Sequence, residues 1–169
     1  MLQKINIFYV NEKIIIGGSM NINRILDIRE EKELTQEELA NIIGGSRVNI
    51  SKWENQKEIP NIEKINKIAN EFKLSLDYIF RLSKEKNYED LIYKDLDKQE
   101  VGKRLNLLRN EQHLTLRVLA KEINTSSSTI WAYEKGKTLL LTAFAIEICK
   151  KYKISMDWLY GKRKNKHLS

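Results

Sequence analysis

One cysteine, one proline and seven glycines are all that this 169-residue chain has of the residues that staple or bend a backbone. The lone thiol, Cys149, excludes an intrachain disulfide and any zinc site of four cysteines or of two cysteines and two histidines. Cys149 itself reads as a small buried hydrophobe. So little proline and glycine argues against a turn-rich β architecture and for helices joined by short connections. His113 and His167 are the only histidines. A Gly-rich phosphate loop, a nucleophile elbow and any His–carboxylate metal spacing are missing, so no catalytic residue, no metal and no cofactor is expected, and the chain does not read as an enzyme. Long apolar runs are missing too. The stretch from Ile5 to Ile16 is broken by Asn11, Glu12 and Lys13, too short and interrupted for a signal peptide or a membrane span. The expected location is cytoplasmic, with no membrane partner.

Hydrophobic residues make up 41% of the chain, enough for a packed core. The formal charge of +7 is unevenly spread. Residues 22–81 hold ten Lys+Arg against eleven Asp+Glu, whereas residues 101–169 hold fourteen against five. The last third is therefore suited to a polyanion.

Sliding the sequence on itself by 80 residues aligns it without a gap. Arg24 falls on Arg104, Arg29 on Arg109, Leu34-Thr35 on Leu114-Thr115, Leu39-Ala40 on Leu119-Ala120 and Glu54 on Glu134. There are 16 identities over the 61 positions from Asn21 to Arg81, where composition alone gives about three or four. A unit of about 60 residues can hold its own core, so the repeat reads as two similar domains rather than a solenoid.

In copy one, Ile22, Ile25, Leu26 and Ile28 give an amphipathic first helix. Thr35-Gln36-Glu37-Glu38 is a capping box that opens a second helix carrying Leu39, Ala40 and Ile43. Gly44-Gly45 breaks it, and Ser46 caps a third. Pro60-Asn61 starts a fourth, with Ile62, Ile65, Ile68, Ala69 and Phe72 on one face, and Ser75 caps a short fifth. On the third helix, Ile50, Trp53 and Glu54 face inward while Arg47, Val48, Ser51, Lys52 and Asn55 face outward. An arginine and a lysine on the outer face of a short helix can donate to guanine O6 and N7 in a major groove.

The runs Leu34–Ala40 and Ser46–Asn55, then Pro60, then Leu74–Ile79, resemble the Cro/repressor (XRE) helix-turn-helix family. Leu114-Thr115, Leu119-Ala120, Ser126–Lys137 and Ser155–Leu159 extend the resemblance to copy two. It implies an all-α protein with two tandem five-helix domains that bind double-stranded DNA and control transcription, more often by repression. It further implies base reading by Arg47, Val48 and Lys52 near the Ser46–Asn49 helix start, and phosphate contact by Gln36, Asn55 and Lys57. Arg29–Glu54 and Arg109–Glu134 match a buried pair that ties the first helix to the third in this family.

Copy two departs from this pattern. Gln36 becomes Leu116, Glu38 becomes Val118, and the base-reading positions become Ser127, Ser128 and Ala132, while Lys137 is kept. Ser126, Ser127, Ser128, Thr129, Lys135 and Lys137 are its candidate DNA contacts, directed at phosphate more than at bases. Domain 1 is therefore expected to give most of the base readout. Leu139, Leu140, Leu141 and Phe144 form a more apolar stretch, either a fuller core or a docking surface. A homodimer stays open as a partner. So does a protein partner at domain 2, as in an antitoxin-like or inhibitor protein.

The expected organisation is an N-terminal extension over 1–20, domain 1 over 21–81, a charged linker over 82–100, domain 2 over 101–161 and a basic tail over 162–169. Tyr88, Leu91, Ile92 and Leu96 recur in the linker at helical spacing and are expected to be partly ordered against a domain. The extension has two readings. One is a translated leader ahead of a natural start at Met20, since the Gly17-Gly18 codons can spell a ribosome-binding sequence. The other is a small hairpin of Ile5–Val10 and Ile14–Ile16.

Overall fold

The computed structural model describes residues 21–168 in full and, ahead of them, the backbone of two strands. The chain divides into two compact units, Met1–Lys86 and Asn87–Ser169. Strands β1 (Asn6–Val10) and β2 (Lys13–Gly17) pair antiparallel, with Ile7 opposite Ile16 and Tyr9 opposite Ile14. Both segments are rich in β-branched and aromatic residues, which suit such a ladder. Met20 lies outside the described residues.

Unit 1 is built on α1 (Ile25–Glu31), α2 (Gln36–Ile43), α3 (Arg47–Glu54), α4 (Ile62–Phe72) and α5 (Leu76–Ile79). Each start has a chemical cause. Thr35 accepts from the Glu38 amide while the Glu38 carboxylate takes the Thr35 amide, closing the capping box. The side chains of Ser46, Asn61 and Ser75 cap α3, α4 and α5 by accepting from first-turn amides. The turn between α2 and α3 needs a left-handed residue, and Gly44 supplies it at φ 60°. Ile25, Ile28, Leu39, Ile43, Ile50, Ile65 and Ile68 fill the core, each worth about 1.5–3 kcal/mol of burial.

Unit 2 repeats the plan with α6 (Lys98–Glu111), α7 (Leu116–Glu122), α8 (Ser127–Glu134), α9 (Thr142–Tyr152) and α10 (Met156–Leu159). Among the described residues all α-helix lies in these ten elements. At the α7–α8 turn, which lacks glycine, Asn124 takes the left-handed conformation at φ 53°. Thr115 still accepts from the Val118 amide, so half of the capping box survives in copy two. Helix α6 starts at Lys98, capped by Asp97, and is twice the length of α1. Gly102 permits this extension. A Cβ there would lie 2.4 Å from the Tyr133 carbonyl oxygen on α8. Leu140, Phe144 and Cys149 are buried, so the apolar stretch is mostly core, with Leu141 45% exposed.

Two expectations are corrected. The segment 82–100 is not one linker, since residues up to Lys86 belong to unit 1 and the rest to unit 2. Residues 88–97 hold no helix despite their spacing, because their bonds go elsewhere. The Ile92 amide donates to the Lys162 carbonyl, and the Asp90 carboxylate accepts from the Lys164 and Asn165 amides and from Arg163 Nε at 2.9 Å. For the same reason, residues 162–168 are not a free basic tail. Lys162 and Arg163 are buried, the Ser155 amide donates to the Lys166 carbonyl, and Lys166 pairs with Glu111. Copy one ends alike: the Ser75 amide donates to the Lys86 carbonyl, and Lys86 pairs with Glu31 at 2.7 Å. The structural repeat thus runs five residues past Arg81.

Candidate nucleic-acid interface

Helix α3 is anchored from below. Arg29 Nε donates to Glu54 Oε1 at 2.5 Å, Arg29 Nη2 to Glu54 Oε2 at 3.2 Å, and Arg29 Nη1 to the Leu34 carbonyl. The Glu54 side chain is only 4% exposed. The carboxylate holds the Arg29 guanidinium above its usual pKa through this bond, against the opposing effect of burial. Arg109 and Glu134 repeat the geometry, Nε to Oε1 at 2.5 Å and Nη2 to Oε2 at 3.0 Å, and Arg109 is shifted the same way by Glu134.

A third donor completes each site, and its source differs. In unit 1, Gln36 Nε2 on α2 donates to Glu54 Oε2 at 2.7 Å. In unit 2, where Leu116 replaces Gln36, Asn106 Nδ2 on α6 donates to Glu134 Oε2 at 2.7 Å. The role of Asn106 was not readable from the repeat, because its counterpart is Leu26. The expected phosphate-facing residue Gln36 thus has its amide N–H engaged inside the domain.

On the outer side, Gln36, Arg47, Val48, Ser51, Lys52 and Lys57 line one concavity of about 240 Å³. Val48 is 63% exposed, and Arg47 and Lys57 are exposed. Neither of these two cations enters an ion pair among the described residues, whereas Lys52 Nζ lies 3.3 Å from Glu58 Oε2. Ser46, Asn49 and Asn55 lie outside this lining. The Ser46 hydroxyl accepts from the Asn49 amide, and Asn55 Nδ2 donates to the Ser51 carbonyl at 2.7 Å at the end of α3. The structure therefore gathers five of the eight candidates of domain 1 and uses the other three to terminate the helix.

In unit 2 the Ser126 hydroxyl lies 2.8 Å from that of Ser128 and 2.7 Å from that of Thr129. Ser127 is half-buried, and Ser128, Lys135 and Lys137 are exposed. Lys137 Nζ stands over the Trp131 ring, 4.1 Å from its centroid. Trp131 matches no residue of the helix-turn-helix pattern in copy one. Its only signal was position, since it falls on Ser51. Among the described residues, no cluster of His, Cys, Asp and Glu could hold a metal ion, and no helix is long and apolar enough to cross a membrane.

Two short helices joined by a tight turn, the second braced by a buried Arg–Glu pair and in unit 1 presenting cations outward, define a helix-turn-helix protein, here in tandem. A family model described as "Helix-turn-helix domain" matches residues 22–85 and again 102–163. The chain belongs to this XRE-type helix-turn-helix family, whose membership supports DNA-binding regulatory activity in general. No curated protein and no solved structure matches it.

Proposed function

We propose that this protein binds specific double-stranded DNA sequences and regulates transcription in the cytoplasm, by repression, with domain 1 supplying most of the base readout. The observation that carries this reading is the open concavity on α3, where Arg47, Val48 and Lys52 stand beside Lys57. Arg47 offers a bidentate fork to guanine, and Lys57 offers a point charge to phosphate. In domain 2, Ser126, Ser127, Ser128, Thr129, Lys135 and Lys137 supply backbone contact. The mostly buried stretch Leu139–Phe144 gives no support to a protein-docking surface there.

Selection of bound duplexes from random DNA, with the mass of the complex measured, tests the reading and counts the protomers. A consensus should emerge. Arg47→Ala should then cost about 1–3 kcal/mol and relax preference at one position, while Lys57→Ala weakens all sequences alike and lowers the salt slope by about 1. Recovery of no consensus, or equal losses of specific and nonspecific binding in both variants, would refute it.

A further inference from the structure

Trp131 is 41% exposed, whereas Trp53 and Trp158 are buried in the cores. It sits on the outer face of α8, at the position that Ser51 holds in the concavity of domain 1.

The surroundings of this ring carry positive charge. Lys137 stands against it, and Lys135, the C-cap of the same helix, is exposed. The acid of α8 itself, Glu134, is engaged by Arg109 and Asn106. An apolar protein surface would leave these cations uncompensated, whereas a phosphate backbone neutralises them. The polar side chains of α8 are short. Ser127 and Ser128 cannot reach guanine with two donors, and Ala132 has none. What α8 does offer is apolar surface, and the apolar group in the major groove is the thymine C5 methyl.

We propose that Trp131 is a specificity-determining residue of domain 2, reading thymine methyl groups in the major groove while Lys137 meets the adjacent phosphate. This rests on the DNA-binding reading above and adds a base preference to a domain whose polar readers are absent.

The test uses the full chain and a selected duplex. The part covered by domain 1 is located by the position that Arg47→Ala relaxes. In the remaining part, deoxyuridine replaces thymidine, which keeps the base pair and removes the methyl. Binding should weaken about fourfold per contacted methyl, the effect of one buried methyl group. Trp131→Ala should weaken binding to the thymidine duplex and abolish the difference between the two duplexes. Trp131→Phe should retain part of it. Because Trp131 lies outside the core, circular dichroism should show the fold intact. If Trp131→Ala discriminates the two duplexes as wild type does, or binds both as tightly as wild type, the assignment is overturned and α8 faces something other than DNA. Failure to select any duplex would instead strike the DNA-binding reading itself.

Discussion

At the scale of single residues, the carboxylates of Glu54 and Glu134 show how one requirement is met in two ways. A carboxylate removed from water must have its lone pairs occupied, and losing a donor to it costs more than the bond's net contribution. Glu54 and Glu134 each receive a bidentate arginine and one amide, but the amide comes from α2 in domain 1 and from α6 in domain 2. Gln36→Leu should therefore destabilise domain 1 by about 1–2 kcal/mol. Adding Leu26→Asn, which copies the position of Asn106, should recover most of that loss. Glu54→Ala, which strands Arg29, should cost about 3–5 kcal/mol and have no such rescue. Hydrogen exchange of the α3 amides in the full chain reads all three variants. A double variant no more protected than Gln36→Leu alone would show that the two scaffolds are not interchangeable here.

At the scale of elements, the capping residues explain both where helices begin and where copy two is weaker. Asn61 caps α4 by accepting from the Glu63 and Lys64 amides, but its counterpart Leu141 gives α9 no side-chain cap. Leu141 already has the extended backbone of an N-cap, at φ −67° and ψ 142°, and projects partly into solvent. Leu141→Asn should thus stabilise domain 2 by about 1 kcal/mol, seen as a rise in the melting temperature of that domain. No rise, or a fall, would mean that the exposed leucine contributes more than a cap would. The same local chemistry is what made the helices legible. Thr35, Ser46, Asn61 and Ser75, with the spacing of Ile62, Ile65, Ile68 and Ala69, suffice to place four starts. The repeated Arg29–Glu54 and Arg109–Glu134 positions made the anchor legible as well. The order of residues 88–97 against a domain was legible but its non-helical form was not, because the partners lie 70 or more positions away, as in Ile92 with Lys162 and Asp90 with Arg163. A spacing of apolar residues carries no record of such bonds. Trp131 carries no mark in the repeat, because its counterpart 80 residues earlier is Ser51.

At the scale of the whole molecule, the boundary at Lys86–Asn87 redraws what an independent second domain must contain. A fragment cut at residue 101 loses Asp90, Ile92 and the first turn of α6. Buried Lys162 and Arg163 then lose partners, and Arg163 also loses the Tyr88 ring that it covers at 3.6 Å. The fragment 87–169 keeps them all. It holds sixteen Lys+Arg against ten Asp+Glu, a net of +6, less basic than the +9 of residues 101–169. Charge and stability therefore oppose each other across these fourteen residues, which allows their effects on DNA binding to be separated. The longer fragment should melt cooperatively and several degrees above the shorter one, since a kilocalorie moves a domain of this size by about 4–8 °C. Its affinity for DNA should fall steeply with salt, by about 0.9 in log–log slope for each phosphate neutralised. Because Ser127, Ser128 and Ala132 supply no bidentate donor, it should discriminate among sequences far less than the full chain. Equal melting temperatures for the two fragments would remove residues 87–100 from the domain. Discrimination by 87–169 equal to that of the full chain would overturn the assignment of most base readout to Arg47, Val48 and Lys52.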